Sequence, residues 1–445
     1  MVMVGQLILS LSILVILHEL GHFIPAKLFK TRVDKFYLFF DAGFSLFKMK
    51  KGETEYGIGW LPLGGYVKIA GMVDESMDLE QLKGEPQPWE FRSKPTWQRL
   101  IIMLGGVIVN FVLGFFIFAM IFWKWGSDYL PAENVTAGIY VDTLGIELGL
   151  KDGDKILTVG NMPFDKFNDR LVLKEIVINN ASNIKIERDG QKMEIPVPDG
   201  FAKKLASREN KGKSLFGARF PFVINEFLKG GGAEKSGLRI GDQVVALNRE
   251  PTPYFYDFYR KIKKHKKEEV TVSVIREGSS DTINYKMITS ESGTIGARPE
   301  APDFFYKTKH VDYSFAEAIP AGIHRGVSFI GDQIKGFRQM FSGKIKASDS
   351  LGGFGTIAGL FPKSWDWQRF WNVTGILSLI LAVMNLLPIP ALDGGHVVFL
   401  LFEMITGRKP SDKFLEYATM VGFILVLSLV LYSNGLDILR WWQER

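Results

Sequence analysis

From residue 2 to residue 26 the chain reads VMVGQLILSLSILVILHELGHFIPA, an apolar run that carries His18-Glu19-Leu20-Gly21-His22 within it. About 20 residues, rising 1.5 Å each, cross the roughly 30 Å of bilayer hydrocarbon, so the run reads as a membrane helix. It lacks a basic leader segment and a small-residue cleavage site, which disfavours a cleaved signal peptide. Ionisable side chains inside a span cost about 2.5 to 3.5 kcal/mol each on insertion scales, and they mark function there. On a helix His18 and His22 stand at i and i+4, where both reach one zinc ion, and Glu19 lies beside them to accept a proton from water. Six histidines in 445 residues predict only about 0.004 chance matches to this motif, so a purely structural helix is the weaker account.

The same length criterion finds apolar runs near Leu100 to Trp123, Phe370 to Leu387 and Tyr417 to Tyr432, which predicts four spans. Lys27, Lys30, Arg32 and Lys35 follow the first run, and Arg408, Lys409 and Lys413 separate the third from the fourth. Cytoplasmic connections are enriched in Lys and Arg, so both termini and the long insert between spans two and three are expected outside. Arg440 and Arg445, after the last run, oppose this mildly. A composition of 47% apolar and 23% charged residues, with mean hydropathy +0.08, fits spans combined with soluble modules. The net charge of +6 does not point to nucleic acid, because the basic run from Lys261 to Lys267 falls in the outer insert. With no cysteine, thiol nucleophiles, Fe–S clusters and Cys-based zinc fingers are excluded, and any metal is held by His, Asp or Glu.

The insert contains a repeat. Gly149-Leu150-Lys151-Asp152-Gly153-Asp154-Lys155-Ile156-Leu157 returns 88 residues later as Gly237-Leu238-Arg239-Ile240-Gly241-Asp242-Gln243-Val244-Val245, and Pro163 returns as Pro251. Two β-rich modules are expected, at 127–205 and 206–300, similar to PDZ domains, which bind extended peptide ends by strand addition. Rigid spacers without an open groove are the alternative. Residues 301–368 form a linker containing an amphipathic helix from Ser314 to Phe341, opened by a Ser314/Glu317 capping box and expected on the outer membrane face. Segments 1–126 and 369–445 hold the two pairs of spans.

Catalytic zinc usually keeps three protein ligands and an open position. The third is sought in Asn385-Leu386-Leu387-Pro388-Ile389-Pro390-Ala391-Leu392-Asp393-Gly394-Gly395-His396, where Pro and Gly break the helix at membrane depth. Asp393 is the first candidate and His396 the second. His18 and Asp393 both fall near the cytoplasmic ends of parallel spans. Gly106, Asn110 and Gly114 share a face of the second span, either as a packing motif or as part of the site. Tyr56 to Ile69, including Gly64, Gly65, Tyr66 and Val67, is too short to span and too apolar for an exposed loop.

Together these motifs resemble the site-2 protease family, most closely its RseP-like regulators of intramembrane proteolysis. The resemblance covers nearly the whole chain. It implies a polytopic α-helical membrane protein with four spans, two PDZ-like domains and a membrane re-entrant β-hairpin formed by Phe36 to Phe47 with Tyr56 to Ile69. It further implies Zn2+ held by His18, His22 and Asp393, Glu19 as catalytic base, Asn385 and Pro388 holding substrate, and Gly106 and Asn110 in support. The family often has Ala-Gly-Pro where this chain has Leu104-Gly105-Gly106-Val107, which bears on the local helix start. The expected activity is cleavage of transmembrane segments of single-span proteins, such as an anti-sigma factor or remnant signal peptides, in a bacterial inner membrane. The rival readings are an inactive membrane-anchored PDZ scaffold, disfavoured by the intact Glu19, and a metal transporter, disfavoured by a single cluster near one membrane face.

Overall fold

The computed structural model describes residues 2–62, 64–72, 84–210 and 212–443. They divide into two compact units: 1–126 with 312–334 and 350–445, and 127–311 with 335–349. Leu63 and Arg445 lie outside the described residues.

The first unit is built on helices α1 (Val2–Leu28), α2 (Thr96–Trp125), α3 (Phe315–Phe341, as far as residue 334), α4 (Trp367–Asn385), α5 (Asp393–Thr406) and α6 (Asp412–Gln443). Among the described residues, three helices are long and apolar enough to cross a membrane: α1, α2 and α6. The expected third span is the 19-residue α4, and it falls short of that apolarity because it carries Gln368, Arg369, Asn372, Thr374 and Ser378. Three of these, Asn372, Thr374 and Ser378, bond neighbouring helices. Thr374 Oγ1 donates to Ser10 Oγ of α1 over 2.9 Å, and Ser378 Oγ donates to the Asn110 carbonyl of α2 over 2.7 Å.

Small residues let the helices touch. Gly21 of α1 and Gly105 of α2 meet backbone to backbone with no room for a methyl group on either, and Gly114 lies against the Leu379 side chain of α4. The capping box expected at Ser314 is present, with the Ser314 amide donating to Glu317 Oε2 over 2.9 Å. Beyond it α3 packs on helices. Gly322 lies against Ala119, Gly326 against Phe115, and the Arg325 guanidinium sits 4.7 Å over the Phe118 ring while donating to Asn372 Oδ1 over 2.8 Å.

Between α1 and α2 run β1 (Val33–Leu38), β2 (Phe40–Lys51), β3 (Thr54–Leu61) and β4 (Tyr66–Ile69), in the sheet order β2-β3-β1-β4. The expected hairpin is present as β2–β3, and β1 and β4 extend it into a mixed four-stranded sheet. The β2–β3 hairpin turns at Gly52 (φ 64°), β1 adds parallel to β3, and β4 adds antiparallel to β1. Among the described residues β4 is an edge, paired on one side with β1.

The second unit contains the repeated modules. In each, the Asp that ends the Gly-Leu-x-x-Gly-Asp pattern is buried, at 0% exposed for Asp154 and 1% for Asp242. Each accepts a backbone N–H three residues upstream (Lys151, Arg239) and a bidentate Arg 34 residues downstream, Arg188 or Arg276. The strand register recurs as well, with Ile156 opposite Ile186 and, at the same offset, Val244 opposite Val274. The first module has strand order Gln191–Pro196, Asn183–Arg188, Lys155–Val159, Met162–Pro163, and a separate pair joins Ile139–Val141 to Phe216–Ala218. Its core takes in Leu215 and Phe216, beyond the boundary drawn at 205.

Candidate metal centre

Two elements, α1 and α5, deliver three donor atoms to one point. In α1 the i, i+4 spacing stacks the two imidazoles, whose Nε2 atoms stand 3.3 Å apart. Asp393 opens α5, directly after the loop that Pro388 and Pro390 keep out of helix. Gly394 packs on the carbonyls of Leu386 and Leu387, and Gly395 packs on Ile389, so the new helix starts hard against the end of α4. Its first carboxylate then turns inward. Asp393 Oδ2 lies 3.4 Å from His18 Nε2 and 3.4 Å from His22 Nε2.

These separations are long for hydrogen bonds and short for unbonded neighbours. Asp393 Oδ2 is buried without a hydrogen-bond partner, which is costly unless a cation serves it. A tetrahedral zinc with bonds of about 2.0 to 2.1 Å holds its donors about 3.3 to 3.4 Å apart, the spacing found here. Two imidazole nitrogens and one carboxylate oxygen also form a usual catalytic zinc donor set. Among the described residues this is the one His/Asp/Glu cluster compact enough for a metal, its donor atoms all within 4.8 Å of one another.

The surroundings orient the donors. His22 Nδ1–H donates to the Ile102 carbonyl over 2.8 Å, which leaves Nε2 bare toward Asp393. Gly106 lies between the rings, where a Cβ would come within 2.5 Å of His18 Cε1. Asn110 Nδ2 stands 3.2 Å from His18 Nδ1, and Asn385 Nδ2 stands 3.2 Å from His18 Nε2. A cavity of about 600 Å³ opens beside the cluster. Glu19, Gly65, Tyr66, Val67 and His396 line it together with the three donors. The structure therefore brings together most of the residues singled out from sequence. Gly64 and Pro388 stand outside the lining, Gly64 against Phe40 and Pro388 in the turn before α5.

Sequence reasoning missed the Ile102 carbonyl, the Gly21–Gly105 contact, Ser378, and Thr419 and Phe423 of α6, which also line the cavity. The glycine pair carried a legible signal as small residues in two apolar helices. A backbone carbonyl carries none.

Paired imidazoles and a carboxylate within a bundle of apolar helices, open to a cavity, match the donor set of a zinc-dependent hydrolase. The chain belongs to peptidase family M50, whose sequence profile matches residues 6–429. It is 26% identical over 450 residues to a Neisseria meningitidis protein named "Putative zinc metalloprotease", covering 97% of this chain and 98% of that one. It is 25% identical over 460 residues to the "Regulator of sigma E protease" of Haemophilus influenzae, covering 98% of each. A Thermotoga maritima protein also named as a zinc metalloprotease is 27% identical, over 97% of this chain. The site-2 protease resemblance read from the motifs holds, and the protein is a zinc metalloendopeptidase.

Proposed function

We propose that the enzyme cleaves peptide bonds within or beside transmembrane helices of single-span membrane proteins, with His18, His22 and Asp393 as zinc ligands and Glu19 as general base. The observation that carries this is Asp393 Oδ2, buried without a hydrogen-bond partner and 3.4 Å from both imidazole Nε2 atoms. Zinc held by these three groups supplies Lewis acidity to the scissile carbonyl and makes water a better acid. Glu19 lines the same cavity, takes the proton of the attacking water and passes it to the departing amine. Asn385 hydrogen-bonds the scissile region, and Pro388 keeps the turn that presents it. Gly65, Tyr66 and Val67 bind substrate as an added strand on β4, replacing the helical hydrogen bonds that the substrate gives up in an apolar medium.

The chain crosses a bacterial inner membrane four times, counting α4. Its termini and the tandem PDZ-like modules lie outside, and the metal centre lies toward the cytoplasm. The modules restrict access to substrates already shortened by a first outer cut. An anti-sigma factor is one candidate substrate, in keeping with the name of the Haemophilus relative, and remnant signal peptides are another.

The test is metal content and cleavage of a panel of tagged single-span proteins in defined membranes. Wild type should bind about one zinc per chain under the three-ligand rule. Asp393→Ala should lose metal and activity together, whereas Glu19→Gln should keep the metal and lose cleavage. Equal zinc in wild type and Asp393→Ala would remove Asp393 from the site.

A further inference from the structure

A neutral imidazole has one N–H and one lone pair, so its two nitrogens cannot both be served by amide NH2 groups. His18 nevertheless has an amide Nδ2 beside each nitrogen, that of Asn110 at 3.2 Å from Nδ1 and that of Asn385 at 3.2 Å from Nε2. One of the two amides must present its oxygen instead, and the two ends of a carboxamide have the same shape. Asn110 is 1% exposed, and its Oδ1 is buried with no hydrogen-bond partner.

We infer, resting on the ligand set proposed above, that Asn110 turns Oδ1 toward His18, accepts the Nδ1–H bond, and thereby fixes the tautomer that leaves His18 Nε2 bare for zinc. Asn110 is then a positioning residue. His22 is held in the same sense by another acceptor, the Ile102 carbonyl. Ile102, Gly106 and Asn110 follow one another at i, i+4 and i+8 on α2, so one stripe of this helix sets both rings. One turn offers a carbonyl, the next a bare Cα and the third a side-chain amide. Ser378 donates to the Asn110 carbonyl over 2.7 Å, which ties the third turn to α4.

The experiment uses the full chain purified in detergent, with zinc affinity read by chelator competition and imidazole tautomers read from ¹⁵N shifts. Asn110→Leu keeps the γ-branched shape and removes the acceptor, and it should weaken zinc binding about 10- to 100-fold, the usual effect of losing a ligand's outer partner. Asn110→Asp restores an acceptor and should stay within about threefold of wild type. In the wild type His18 should carry its proton on Nδ1. Wild-type affinity in Asn110→Leu, affinity in Asn110→Asp as weak as in Asn110→Leu, or a proton on His18 Nε2 would each overturn the inference. If Asn110→Leu does not fold, the wild-type shifts decide. Loss of zinc in Asp393→Ala with no change in Asn110→Leu removes only the positioning role, whereas zinc retained in Asp393→Ala removes the ligand set itself.

Discussion

Gly106 lies so close beneath His22 that a methyl group on its Cα would overlap Nε2, and the same methyl would stand 2.5 Å from His18 Cε1. Gly in a helix interior costs about 0.5 to 1 kcal/mol relative to Ala, so its presence here answers to the imidazoles and not to the helix. Gly106→Ala should leave α2 intact or more stable while pushing both rings aside. Zinc affinity should fall at least about 10-fold, the scale of a disturbed ligand shell, with cleavage falling in step. Chelator competition beside circular dichroism checks this, and unchanged zinc binding would show that the rings can move without loss.

The edge position of β4 makes a second expectation. Proline cannot donate to a ladder, so Tyr66→Pro or Val67→Pro should slow cleavage about 10-fold or more while leaving metal content unchanged. Helix-breaking residues in the substrate span should speed it. The chain has no native cysteine, so single cysteines at Tyr66 or Val67 can be crosslinked to a cysteine-bearing substrate without background. Failure of every such crosslink would place the substrate elsewhere.

The second module should respond to acid through Asp242. Burial pushes this carboxyl up, but the Arg276 guanidinium and the Arg239 amide outweigh burial and hold it below the usual carboxylate range. A depressed folded-state pKa adds stability above the ordinary value of 3.8 and forfeits it as pH falls through the lowered one. Stability of the module should therefore be flat near neutrality and decline below about pH 4. Asp242→Asn should cost about 2 to 3 kcal/mol at pH 7, because a buried charge-assisted bond is lost, and should flatten the acid limb. Thermal melts across pH read both effects.

The modules are joined to each other by Arg260, which binds Asp152 and donates to the Val141 carbonyl over 2.5 Å, and by Tyr256 stacked on Tyr140. Removing residues 132–299 should permit cleavage of substrates with long outer domains that the intact enzyme leaves alone. Arg260→Ala, which spares both module cores, should loosen length discrimination in the same direction. Unchanged discrimination at matched expression in both variants would argue against a size filter.

Sequence by itself determined the features set by local spacing and composition: the apolar length of α1, the i, i+4 histidines, the Pro-and-Gly break that delivers Asp393, and the duplicated Gly-Asp turn. Each depends on a few adjacent residues, so the one-dimensional order already contains it. Tertiary structure alone decided how α1 and α5 meet to set three donor atoms 3.3 to 3.4 Å apart, and that a backbone carbonyl of Ile102 and a bare Cα of Gly106 on α2 shape the site. It also decided that β1 lies between β3 and β4, extending the expected hairpin into a sheet with β4 at one edge. The reason is physical. Helix crossings and strand order arise from packing between segments far apart in the chain, through contacts such as Gly21 on Gly105 and Ser378 on Asn110, and no periodicity within one segment encodes its partner.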